Sequence, residues 1–228
     1  MRRLIVMVLA AAALAVPAAT PAQQRGAAAQ RDWTRTVAAT PEGGFRMGNP
    51  AARVKVVEYL SLTGPHCAAF AQEGTPRLIA DHVRSGRVSL EYRNFVLNPI
   101  DLAATLLARC SGPAQYFRMA ERLFATQSTW VPRVQAAITA AGGERGPAVL
   151  ASAAEQSGLT AIAAQYGVTQ ARARQCITDR AGVDRLIAMY QAASAAGVNG
   201  TPSFAINGTL APANDWPAIE RLIRQAGG

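Results

Sequence analysis

The stretch RVKVVEYLSL (Arg53 to Leu62) runs into TGPHCAAF through a tight turn, and this junction limits the folds open to the chain more than any other feature. The first part is rich in β-branched and aromatic residues, with apolar side chains on both parities, as in a strand buried on both faces. Pro65 then suits the first turn of a helix, where a missing N–H costs nothing. Cys67, Phe70, Ala71 and Gly74 follow at the spacing of one helical face. A strand buried on both sides needs strand neighbours. One is RVSLEYRNFVL (Arg87 to Leu97), which alternates. The others lie far along the chain, where SFAI and TLA flank Asn207-Gly208, a strong hairpin signal. From Pro99 to about Asp179 only helical patterns occur. The strands on either side of that block need one another to form a sheet. An α/β fold with an inserted all-helical block is therefore expected, rather than two separate domains.

The boundaries predicted on this basis are 23–49 for a lead-in, 50–98 with 180–228 for the α/β domain, and 99–179 for the insertion. In the lead-in, Trp33 to Val37 reads as a short strand, followed by turn residues at Pro41, Gly43, Gly44, Gly48 and Pro50. Pro76 should kink or break the first helix, which resumes as far as Gly86. In the block, Leu102, Leu106 and Cys110 share one face, and AQYFRMAERLFATQ is amphipathic. Shorter helices are expected in VPRVQAAITAAGG, RGPAVLASAAEQSG and LTAIAAQYG. Thr169 caps a helix that turns Ala173, Cys176 and Ile177 inward. A long helix closes on Gly197, and Asn214 or Asp215 caps a terminal one.

The chain begins MRRLIVMVLAAAALAVPAATPAQ. A basic start, an apolar run from Leu4 to Val16 and small residues before a cut after Ala22 make 1–22 a secretory signal peptide. The apolar run is shorter than the ~20 residues a spanning helix needs, and no later segment is apolar enough to span. An exported chain with three cysteines is expected to hold one disulfide and one cysteine left over. The net charge is +9, or +7 without Arg2 and Arg3, and Lys55 is the only lysine. The arginines are scattered (Arg84, Arg109, Arg133, Arg172, Arg174, Arg221) without aromatic interleaving, which argues against a nucleic-acid partner. No cofactor and no metal are expected.

Cys67 carries the most chemistry. In the first turn of a helix a thiol feels unpaired N–H groups and the positive end of the dipole, and both favour the reactive thiolate. Gly64 stands where a C-x-x-C pair would have its outer, attacking cysteine. Glycine is acceptable as an N-cap, so the turn can fold without that sulfur. Two readings of Cys67 stay open: a buried, inert cysteine facing the core, and a monothiol that forms mixed disulfides or a sulfenic acid. Glu58, in an apolar strand, is either an exposed residue of an alternating strand or a buried acid that must be paired or neutral.

VVEYLSLTGPHC and GVNGTPSFAING together resemble the DsbA-like branch of the thioredoxin superfamily, over roughly residues 45–228. The first matches that family's strand ending in C-P-H-C, and the second its cis-proline loop and hairpin. The resemblance implies a thioredoxin fold with a helical insertion and a role in protein thiol–disulfide exchange. It implies that Cys67 is the resolving cysteine, that His66 stabilises the attacking thiolate, and that Glu58 is a buried acid moving protons. Thr201 and Pro202, joined by a cis bond, would hold a substrate strand beside Gly64 and Pro65. Cys110 and Cys176 look like the extra, non-catalytic disulfide some members carry. A bridge from either to Cys67 is disfavoured, since it would tie a sheet-bound helix to the block.

With Gly64 in the nucleophile position, Cys67 can hold a mixed disulfide but cannot release it intramolecularly. An external thiol such as glutathione would have to finish. The partners expected are extended polypeptides or protein thiols. Two alternatives follow: a peptide-binding, chaperone-like module without redox activity, and, lower, a glutathione-dependent transferase or isomerase.

Overall fold

The Arg53–Leu62 stretch becomes β3 (Val54–Leu60), the third position inward from one edge of a six-stranded sheet. The structure is a computed structural model that describes residues 31–144 and 146–228. The predicted signal peptide lies outside the described residues. The strands are β1 (Val37–Ala39), β2 (Phe45–Gly48), β3, β4 (Val88–Asn94), β5 (Ser203–Ile206) and β6 (Thr209–Leu210), in the spatial order β1-β2-β4-β3-β5-β6. β3 and β4 run parallel, from Val54 opposite Val88 to Leu60 opposite Asn94, and the other pairs are antiparallel. β5 pairs with β3 across more than 140 residues of intervening chain, so the late hairpin completes the early sheet.

Nine helices lie among the described residues. α1 (Pro65–Arg77) connects β3 to β4; α2 (Pro99–Cys110), α3 (Pro113–Ala125), α4 (Gln127–Ala140), α5 (Pro147–Gln156), α6 (Leu159–Ala164) and α7 (Gln170–Ile177) form the helical block; α8 (Arg180–Ala195) and α9 (Trp216–Gln225) flank the hairpin. One apolar core joins the block to the sheet. Val56, Leu60, Leu90 and Phe204 of the strands share it with Phe70 of α1, Leu107 of α2, Tyr116 of α3 and Ile219 of α9. A smaller cluster on the opposite sheet face gathers Tyr59, Phe95, Ala193 and Ala205. Alternation along β3 therefore sends Glu58 toward the main core and Tyr59 toward the other face.

Several expectations needed correction. Trp33–Arg35 is a 3-10 turn, because the Asp32 carboxylate accepts from Thr34 N and pulls the chain round; the strand starts only at Val37. Phe45–Gly48, read as turn, is β2, and its Phe45 and Met47 point into the core. β4 is buried on both faces rather than alternating, because it sits inside the sheet with Ser89 and Glu91 covered. Helix continues through Pro76, and from Leu78 to Val83 it winds more widely, as a π-helix. α4 begins at Gln127, earlier than predicted, with Pro132 inside it. α2 is buried almost all round, and its deepest residues include Ala103, Ala104 and Leu107 rather than only the Leu102 stripe. Thr169 and Asp215 cap α7 and α9, and Asn207 and Gly208 both have positive φ in the hairpin turn.

Candidate redox site

The turn between β3 and α1 is held by residues from outside it. Gly64 is the N-cap of α1, and Pro65 is its first helical residue. Asp101, fully buried at the start of α2, accepts from Leu62 N at 2.9 Å and Leu97 N at 3.0 Å. Burial pushes its carboxyl up to about 6, against the pull of these hydrogen bonds. Asn98 Nδ2 donates to Thr63 Oγ1 at 2.9 Å. Gln127 of α4 donates through Nε2 to both Leu62 O (2.8 Å) and Gly64 O (3.1 Å). Thus the helical block clamps the turn from above. Sequence reasoning missed Asp101 and Gln127. Asn98 capping Asp101 N, three residues on, is a signal that could have found the first.

Cys67 sits three residues after the N-cap, fully buried, with its thiol pushed up to about 12. Burial is the main cause, and the Glu58 carboxylate adds to it. The Thr201 hydroxyl and the backbone of Ser61 pull the other way, without prevailing. Burial outweighs the helix N-terminus here, as in the first of the two readings of Cys67: at neutral pH it is a protonated thiol. Glu58 is fully buried, and neither carboxyl oxygen has a hydrogen-bond partner. Burial raises its pKa to about 8, so it too is protonated at pH 7. The exposed-residue alternative for Glu58 is thereby excluded.

The empty place at residue 64 has a definite geometry. A Cβ there would stand 3.2 Å from Cys67 Sγ and 3.3 Å from Thr201 Oγ1. In a disulfide each Cβ lies about 3 Å from the far sulfur, given an S–S bond near 2.05 Å. Gly64 has φ −74°, which any residue adopts. The backbone is therefore compatible with a second thiol. The peptide bond between Thr201 and Pro202 is cis, and Asn214 Nδ2 holds Pro202 O at 3.1 Å. His66 is exposed and, among the described residues, makes no hydrogen bond to Cys67; it lines a groove of ≈ 380 Å³ with Phe70, Pro202 and Trp216. Pro65 is exposed beside it. The predicted residues Glu58, Gly64, Pro65, His66, Cys67, Thr201 and Pro202 thus gather at one end of β3.

Cys110 and Cys176 form a disulfide between the ends of α2 and α7, with Cα atoms 6.2 Å apart, and Cys67 is free. Among the described residues no cluster of His, Cys, Asp and Glu could hold a metal, and no helix is long and apolar enough to cross a membrane.

Residues 40–225 match the family model described as thioredoxin. The chain belongs to the thioredoxin family. A protein-disulfide isomerase from Novosphingobium aromaticivorans is 27% identical, with a TM-score of 0.72 over 80% of this chain and 97% of that one. α-DsbA1 of Wolbachia pipientis has the same fold at 22% identity, with a TM-score of 0.65 over 80% and 90% of the two chains. A Rickettsia bellii protein named "Putative protein-disulfide oxidoreductase" is 28% identical over 187 residues, 81% of this chain and 65% of that protein. The chain spans 52% to 65% of the length of the curated relatives it matches.

Proposed function

We propose that this DsbA-like chain is an exported relative of the protein thiol–disulfide oxidoreductases in which Cys67 is the one remaining exchange residue. The observation that carries this reading is the position of the Cys67 sulfur. The sulfur and the Thr201 hydroxyl, next to Pro202, converge on the place of a side chain that Gly64 lacks, 3.2 and 3.3 Å from where its Cβ would stand. An extended polypeptide would lie along the Thr201–Pro202 loop. The Cys67 thiolate would attack a substrate disulfide, forming a mixed disulfide and releasing the other substrate sulfur as a thiol. An external thiolate such as glutathione would then attack that bond and free Cys67. The proton that Cys67 loses would end on the departing substrate sulfur, since the neighbouring Glu58 already holds its own proton at neutral pH. The Cys110–Cys176 bridge supports export, since such bonds persist outside the reducing cytosol.

We expect no dithiol turnover. Insulin reduction by the wild-type chain should stay at the uncatalysed rate, and catalysis at the rate of a dithiol enzyme would refute the proposal.

The burial of Cys67 and its raised pKa favour a second reading, a polypeptide-binding module whose thiol is inert. Strand addition beside the loop needs no sulfur. Cys67→Ala separates the two. A binding module keeps its affinity for an extended peptide and never forms a peptide adduct, whereas an exchange protein yields a Cys67 adduct with a disulfide-bearing peptide.

A further inference from the structure

The sheet face opposite Cys67 holds a cavity of ≈ 620 Å³ between the β1–β2 turn and α8, remote from the chemistry described above. Its wall carries three guanidinium groups, Arg93, Arg109 and Arg185, against a single acid, Glu42. Its apolar lining comes from Tyr59 and from Met189 with its alanine neighbours on α8.

The three cations differ in their partners. Arg93 is neutralised locally, with Nε 2.8 Å from Glu91 Oε1 and Nη2 3.8 Å from Glu42 Oε2. Arg109 and Arg185 form no ion pair with any described carboxylate. Arg109 is nonetheless held in place by uncharged groups. Its Nη1 donates to Asn94 Oδ1 at 3.3 Å, and its guanidinium stands 5.0 Å from the Phe45 ring. Burial and the neighbouring Arg185 both pull its pKa down. A guanidinium that is partly desolvated, oriented by neutral partners and set beside a second cation is an arrangement completed by an anion.

We propose that this cavity binds a carboxylate attached to an apolar group, with Arg109 and Arg185 on the carboxylate and the apolar part against Tyr59 and Met189. Two sources share this chemistry, a fatty acid and a polypeptide C-terminus ending in an apolar residue. The volume suits either, since small-ligand pockets span about 300–1,000 Å³.

The test is calorimetry on the full chain with two matched pairs: octanoate against octanol, and a leucine-terminated peptide against its C-terminal amide. At least one acid should bind saturably, one per chain, and at least ~10-fold more tightly than its neutral twin. The tighter acid identifies the source. Arg185→Gln changes an exposed residue, so its fold is secure, and it should weaken that acid ~10-fold. Arg109→Met should do the same while insulin and peptide behaviour at Cys67 stay as in the wild type. The proposal is overturned by any one of three results: no saturable binding of either acid, neutral twins as tight as the acids, or both arginine variants binding like the wild type.

Discussion

The two sulfur sites of this chain make opposite use of the same atom. Cys110 and Cys176 join two helix ends in the block, and closing the 66-residue separation between them restricts the unfolded chain. Cys67 lies in the core of the sheet with no sulfur to meet, next to an acid that burial keeps protonated. The first site is a brace whose chemistry is finished once the bond forms. The second keeps its thiol and its buried acid at a cost to stability, in a turn that Asp101, Asn98 and Gln127 hold rigid. Burying an unpartnered carboxyl is unfavourable, so a region that served packing alone would do better with an apolar residue at 58.

That contrast can be pressed from both sides. At the brace, we expect Cys110→Ala with Cys176→Ala to lower unfolding free energy by roughly 2–5 kcal/mol. Urea unfolding with and without reductant would show it. The wild type should fall to the variant's stability when reduced, while labelling of Cys67 in the native state stays the same. At the thiol, Glu58→Gln should act through pH. The native carboxyl, with a pKa near 8 against 4.5 unfolded, holds its proton over a range where the unfolded chain has lost it. The native state then binds more protons than the unfolded state, so this group's contribution to stability falls as pH rises from about 4.5 to about 8. It is flat outside that window. The difference between Glu58→Gln and wild type should grow across the same range, to about 3 kcal/mol at pH 7, measured by denaturant unfolding at several pH values. A difference independent of pH would mean that Glu58 ionises normally. The smallest effect is expected at the clamp. Gln127→Ala removes two hydrogen bonds to the turn, and we expect a loss of about 1 kcal/mol. Faster hydrogen exchange should be confined to residues 61–64.

Much of this was legible in the sequence, and unevenly so. The junction at Gly64, the late hairpin, and the helical block between the parallel pair and β5 all follow from strong local signals: Pro65 at the start of a helix, Asn207-Gly208 in a turn, unbroken helical periodicity. The same local logic left the state of the thiol open. A helix N-terminus favours thiolate, but burial is a property of the assembled core, and it decides the state of Cys67. Glu58 shows the point from the other side, because its neighbours in sequence fit either an exposed or a buried acid and only packing against the main core distinguishes them. β2 was hidden by the glycines around it. Gln127 had no signal at all, since its partners are the backbone carbonyls of Leu62 and Gly64, more than 60 residues away. The cationic cavity escaped because Arg93, Arg109 and Arg185 are scattered along the chain and only the fold gathers them.

The most direct test restores the missing thiol. Gly64→Cys should form a disulfide with Cys67 on oxidation, leaving no alkylatable thiol, and should raise insulin reduction by about 100-fold over the wild-type background. The dihedral angle at 64 suits it, and a Cβ there would stand 3.2 Å from Cys67 Sγ once the Thr201 hydroxyl, 3.3 Å away, gives by a few tenths of an ångström. If the introduced thiol stays alkylatable after oxidation, or bridges to the Cys110–Cys176 pair instead, the turn is not shaped for exchange.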